Sequence, residues 1–82
     1  MAEVTYYGAD WCTDCRRSKA FLNANSVEFV ENNVEESAEL AAKAEAIAGR
    51  KNIPVIQFKD GAFLVEPSDA DLKAVLVERG LL

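Results

Sequence analysis

Glu3-Val4-Thr5-Tyr6-Tyr7-Gly8-Ala9-Asp10-Trp11-Cys12-Thr13-Asp14-Cys15 decides the reading of this chain. Val4 to Tyr7 are β-branched or aromatic and, with Glu3, read as a strand. Gly8-Ala9-Asp10 breaks the pattern. From Thr13 to Asn25 the periodicity turns helical, with Cys15, Ser18 and Leu22 on one face at i, i+3 and i+7. Asn25 suits a helix stop. The cysteines therefore fall directly after a strand, at the start of a helix.

That placement has chemical consequences. A helix N-terminus carries partial positive charge and free backbone N–H groups, which favour a thiolate at Cys12. One helical turn brings the Cys15 sulfur under that of Cys12, close enough for a disulfide. A mixed disulfide on Cys12 can then be resolved within the chain. A structural disulfide is the bland alternative, and it fits poorly in a reducing cytosol. A zinc site needs about four ligands, whereas the chain has two cysteines and no histidine. Only a metal or cluster shared between two chains would rescue a metal reading, so no metal ligands are assigned. The strand before and the helix after make the pair far more specific than an isolated Cys-x-x-Cys.

Bulk properties narrow the setting. The 82 residues form one domain, 1–82. Such a small domain buries only about 60% of its unfolded surface, so its core is thin. Half of the residues are hydrophobic, which argues for a globular chain. A net charge of −5 argues against nucleic-acid and anionic-membrane partners, which need a basic face. Met1-Ala2-Glu3 has no basic region followed by an apolar run, and no apolar stretch approaches the ~20 residues of a membrane span. A cytoplasmic monomer is expected. Two cysteines in that compartment point to redox chemistry.

The remaining segments alternate in type. Val27 to Val30 reads as a second strand, with room to reach Val34. Ser37 suits the cap of a second helix, Leu40, Ala44 and Ile47 its buried stripe, and Gly49 its end. Val55-Ile56-Gln57-Phe58 reads as a third strand, Asp60-Gly61 as a hairpin turn, and Ala62 to Val65 as the returning strand. Ser68 to Asp71 has capping-box spacing, Leu72, Val75 and Leu76 give the last helix its apolar face, and Gly80 closes it. The order is βαβ followed by ββα. It predicts an α/β chain with a four-stranded mixed sheet flanked by three helices, the arrangement of the thioredoxin fold.

Residues near the cysteines carry further expectations. Arg16, within a turn of Cys12, would support a thiolate. Asp14 would oppose one and repel an anionic thiol ligand. Lys19 reads as part of a solvated face. Trp11 fits a shield, a substrate contact or a core anchor equally well. Pro54 stands where a strand begins. Its bond is either trans, as for most prolines, or cis, presenting the Ile53 backbone beside Cys12. The sequence leaves both open.

With these residues in view, the chain resembles a glutaredoxin, most closely the actinobacterial mycoredoxin subgroup. The carriers are Trp11-Cys12-Thr13-Asp14-Cys15, Gly49-Arg50-Lys51-Asn52-Ile53-Pro54, Asp60-Gly61 and Pro67-Ser68-Asp69. The resemblance implies that Cys12 is the nucleophile and Cys15 the resolving thiol. It implies a cis Pro54 with backbone contacts from Ile53. It places Ser68 and Asp69 at the γ-glutamyl end of a bound thiol, and Arg50 or Lys51 at its far end. It implies no bound cofactor, a low-molecular-weight thiol as co-substrate, and proteins carrying mixed disulfides as partners.

The chain departs from the family where glutathione would lie. Thr13-Asp14 replaces the usual Pro-Tyr, and Val65-Glu66-Pro67 stands in the region of the usual Gly-Gly. Mycothiol, a neutral sugar conjugate, is therefore expected over glutathione. Two alternatives stand behind this reading. One is a redoxin-type electron donor recharged by a thioredoxin reductase; such proteins carry Trp-Ser-Gly-Phe-Arg-Pro where this chain has Phe63-Leu64-Val65-Glu66-Pro67-Ser68. The other is a dimer binding an iron–sulfur cluster.

Overall fold

The computed structural model describes residues 3–82. In chain order it contains β1 (Val4–Gly8), α1 (Thr13–Ala24), β2 (Phe29–Asn33), α2 (Ala38–Ala48), β3 (Val55–Phe58), β4 (Phe63–Val65) and α3 (Asp69–Glu78). The strand order is β2-β1-β3-β4. β1 pairs in parallel with β2, from Val4 opposite Phe29 to Gly8 opposite Asn33. It pairs antiparallel with β3, which pairs antiparallel with β4. This is the βαβ-ββα mixed sheet that the element order predicts.

Alternation along β1 divides the interior. Val4 and Tyr6 join Cys15 and Leu22 of α1, Ile56 and Phe58 of β3, and Leu72 and Leu76 of α3 in the larger core. Tyr7, on the opposite face, packs with Val55 and with Ala44 of α2. α1 and α3 therefore cover one face and α2 the other. The predicted stripe of α1 is fully buried. That of α2 is shallower: Ala44 is buried, while Leu40 and Ile47 remain partly exposed over the short β3–β4 edge.

Local chemistry explains the ends of the elements. Ser37 Oγ accepts from the N–H groups of Glu39 and Leu40, and Gly49 ends α2 with φ +77°. Ser68 Oγ accepts from Asp71 N–H at 3.1 Å. β2 begins two residues later than expected because Val27 is used to close α1. Ser26 takes a left-handed φ of 56°, and Val27 N–H donates to Leu22 C=O at 2.9 Å. This helix-end closure seats Val27 against the core instead of in the ladder. Gly80 and Leu81 close α3 in the same way, with Leu81 N–H donating to Leu76 C=O at 2.9 Å. At the hairpin, Asp60 Oδ1 accepts from Ala62 N–H, and Asp60 also pairs with Arg79, whose guanidinium lies over the Phe58 ring. Those contacts hold Asp60's carboxyl below the ordinary carboxylate range, the Ala62 N–H first.

Candidate active site

The break between β1 and α1 puts Cys12 at the N-cap of α1. Its backbone is extended (φ −85°, ψ 116°), and its N–H donates to Ala9 C=O at 3.2 Å. Its sulfur does what a serine or aspartate does at other helix starts: Cys12 Sγ accepts from Cys15 N–H at 3.2 Å. A charged acceptor strengthens such a bond. On its other side Cys12 Sγ lies 3.9 Å from Ile53 C=O. Cys12 is partly exposed, and both cysteines are free thiols.

Cys15, one turn further, is fully buried. Burial, reinforced by the Cys12 side chain, pushes its thiol up to about 12. The Tyr6 hydroxyl lies beneath it and donates to Cys15 C=O at 3.3 Å. Tyr6 is itself held well above the ordinary tyrosine range, mainly by burial. One sulfur is thus open and cradled by N–H, and the other is interior and neutral.

The Ile53–Pro54 peptide bond is cis, and Pro54 is buried. Glu66 fastens this loop. Its N–H donates to Pro54 C=O at 2.9 Å, and its carboxylate accepts from Asn52 Nδ2 at 2.5 Å. Glu66 adopts φ +50° to do so, a left-handed conformation that ordinarily favours glycine.

Two groups of expected ligand residues occupy different flanks. Trp11, Ile53, Arg50 and Lys51 line one cavity of about 450 Å³. Four alanines of α2, Ala38, Ala41, Ala42 and Ala44, also line it, as do Glu35, Glu45 and Asn52. Trp11 is 67% exposed, which removes the core-anchor option, and its indole N–H donates to Glu35. Asp14, Ser68 and Asp69 lie apart from that cavity. There Arg17 reaches Asp14 at 3.3 Å and Asp69 at 3.9 Å. These pairs are about half exposed and add little stability, but they fix the charge pattern between the two helix starts. Arg16 N–H donates to Cys12 C=O at 3.0 Å, while its side chain is exposed. Lys19 is taken up by Glu31 at 2.6 Å, as a solvated face requires.

Sequence reasoning gave no role to Arg17, Glu35 or Tyr6, and read Glu66 only as a departure from the family pattern. Arg17 was findable from its i, i+3 spacing to Asp14. So was Tyr6, because adjacent tyrosines on a buried strand must each place a hydroxyl. The contacts of Glu35 and Glu66 span 24 and 14 residues and leave no local signal. Among the described residues, no group of three or more His, Cys, Asp and Glu could hold a metal ion, and no helix is long and apolar enough to cross a membrane.

The profile of the glutaredoxin family matches residues 4–63. A protein of Mycobacterium tuberculosis (strain H37Rv), provisionally named a glutaredoxin, is 33% identical over 94% of this chain and 93% of its own length. Mycoredoxin 1 of Corynebacterium glutamicum is 27% identical over 90% of this chain and 92% of its own. Among solved structures, the glutaredoxin of Archaeoglobus fulgidus superposes with a TM-score of 0.82 at 26% identity, covering 93% of this chain and 87% of the other. The glutaredoxin of Brucella melitensis gives 0.68 at 30% identity, covering 98% and 83%. Sequence and fold agree over nearly the full length, and the chain belongs to the glutaredoxin family of thiol–disulfide oxidoreductases.

Proposed function

We propose that this chain reduces mixed disulfides between proteins and a low-molecular-weight thiol, and that the thiol is mycothiol in preference to glutathione. Cys12 Sγ attacks the sulfur of the small thiol in the mixed disulfide. The protein leaves as a thiolate and is protonated, and Cys12 carries the adduct. A second small thiol then attacks the small-thiol sulfur of that adduct, forming a small-thiol disulfide and releasing Cys12. In the alternative route Cys15 attacks Cys12, expels the small thiol and leaves a Cys12–Cys15 disulfide. The reaction is sulfur exchange throughout, and the co-substrate is the thiol itself.

The assignment of roles follows from exposure: Cys12 is reachable and Cys15 is sealed beneath it. The observation that carries the choice of thiol is the charge pattern around Cys12. Arg17, which reaches both helix starts, is shared by Asp14 and Asp69. An anionic ligand there would have to compete with two carboxylates. On the other flank, Arg50 and Lys51 share the cavity lining with Glu35 and Glu45, so the cavity beside Ile53 offers no net positive charge. An exposed, anchored indole with carboxylates and an amide nearby suits a polyhydroxylated, uncharged group, which hydrogen-bonds to carboxylates and stacks on rings. Trp11, Arg50, Lys51, Ile53 and Pro54 are proposed to meet that sugar end, and Ser68 and Asp69 the opposite end. The similarity to mycoredoxin 1 agrees with this choice.

The test follows NADPH consumption with one mixed-disulfide substrate under three regimes: mycothiol with its reductase, glutathione with its reductase, and thioredoxin reductase alone. Fastest turnover with mycothiol is expected. Faster turnover with glutathione would overturn the choice of thiol, and turnover with thioredoxin reductase alone would move the chain to the redoxin-type electron donors. Cys12→Ser should abolish activity in every regime. Cys15→Ser should retain the small-thiol reaction.

A further inference from the structure

The resolving route poses a problem that the site described so far leaves unsolved. Cys15 must become a nucleophile, yet it is fully buried and its burial favours the neutral thiol. The charge that develops on its sulfur must be met by a group already inside the core. Tyr6 is 3% exposed and sits in the same core cluster. Its hydroxyl donates to Cys15 C=O at 3.3 Å, and its hydrogen bond works on the Cys15 thiol against the larger effect of burial. A phenylalanine would fill the same volume without burying a polar atom, so packing alone does not account for the hydroxyl.

The strand is built to admit that hydroxyl. Gly8 follows two residues later on the same face of β1, and a Cβ there would stand 2.3 Å from Tyr6 Oη. The ring is held edge-on against Phe29, with centroids 5.9 Å apart. Because burial keeps Tyr6 protonated, it remains a donor across the working pH range. A hydroxyl proton rotates about the C–O bond at little cost, and so can turn between two neighbouring acceptors.

We propose that Tyr6 is the buried donor of the resolving step: its hydroxyl proton swings from the Cys15 carbonyl to the Cys15 sulfur as negative charge develops there. Cys15 releases its S–H proton to solvent, and its sulfur attacks Cys12 Sγ in the mixed disulfide. The bond between Cys12 and the small thiol breaks as the Cys12–Cys15 bond forms. The small thiol departs as a thiolate and takes up a proton from solvent, so the exchange consumes no net protons. Tyr6 keeps its own proton throughout. The proposal rests on Cys12 as the attacking sulfur and is independent of which small thiol serves.

Ellman's reagent tests it by stopped flow. Reduced protein releases one nitrothiobenzoate when Cys12 attacks and a second when Cys15 resolves the adduct. Tyr6→Phe should leave the first phase unchanged, slow the second about tenfold, and move the pH dependence of the second phase upward. In the Cys15→Ser background only the first phase remains, and adding Tyr6→Phe should not change it. Equal slowing of both phases would show a merely structural role and overturn the proposal, as would an unchanged second phase. A first phase that survives Cys12→Ser would instead overturn the assignment of the attacking sulfur.

Discussion

Gly8→Ala offers a sharp test of how β1 and the dithiol are built. A Cβ on Gly8 would lie 2.3 Å from Tyr6 Oη, 2.5 Å from Cζ and 3.0 Å from Cε1. Non-bonded carbons settle at about 3.5–4.0 Å, so the ring must retreat by about 1 Å. It has little room: Tyr6 is 3% exposed, Phe29 packs on it, and its hydroxyl is tied to Cys15 C=O. Overpacking of this kind costs about 1–3 kcal/mol, and the lost hydrogen bond about 1 kcal/mol. Gly8 does not need a left-handed φ, so alanine also stiffens the unfolded chain, offsetting about 0.4–1 kcal/mol. The net loss is about 1–3 kcal/mol. At about 4–8 °C per kcal/mol for a domain of this size, Tm should fall by about 5–20 °C. Thermal unfolding of the reduced protein by circular dichroism measures it. Combining Gly8→Ala with Tyr6→Phe removes the closest contact but leaves Cζ at 2.5 Å. The double variant should therefore be less destabilised than the sum of the single ones. A Tm indistinguishable from wild type for Gly8→Ala, or strict additivity, would show that the ring slides freely and would refute the reasoning.

Two further predictions concern stability. Burial keeps the Cys15 thiol neutral up to about 12, against 9.0 for an ordinary cysteine. A folded-state value raised in this way contributes stability that is complete below pH 9.0 and lost as pH climbs towards 12. The loss is at most about 4 kcal/mol. Reduced protein should therefore lose Tm faster than Cys12–Cys15-oxidised protein across that window, because oxidation removes the thiol; parallel pH curves for the two forms would contradict the burial argument. Ser68→Ala deletes the oxygen that accepts from Asp71 N–H and should cost about 1 kcal/mol. Chemical denaturation would register this as a lower midpoint with unchanged slope, and a midpoint unmoved from wild type would mean that water replaces the cap.

Local signals in this chain were legible wherever they act within one or two turns. The α1 stripe, the Ser37 and Ser68 caps, the Asp60-Gly61 turn and the cysteine pair all depend on neighbours in sequence, and all were readable. The two-residue error at Val27 has the same origin. A β-branched residue next to a strand reads as strand, and only the left-handed Ser26 reveals that Val27 instead closes α1. The site's surroundings were partly hidden for the opposite reason. Glu35 holds Trp11, and Glu66 holds the Pro54 loop, across separations that only the folded sheet closes. The isomer of the Ile53–Pro54 bond belongs to this second group: its residues allow either form, and the cis form appears in the fold that surrounds it.

In the proposed mechanism, one helical turn separates two sulfurs with opposite requirements. An attacking sulfur has to meet a bulky mixed disulfide, so it needs exposure and a donor that welcomes charge. The helix start supplies both at Cys12. A resolving sulfur has to wait without attacking stray partners, and burial in the α1–β1–α3 core supplies that restraint at Cys15. Burial alone would also stop Cys15 from acting when needed, because a desolvated thiol resists ionisation. A neutral hydroxyl relieves this where a buried cation would not: it adds no charge to the core, yet it donates as soon as the sulfur turns negative. The balance between the one-thiol and two-thiol routes then depends on a side chain of β1. Substitutions at Tyr6 and Gly8 should shift that balance, whereas changes in the cavity beside Trp11 should act on the choice of small thiol.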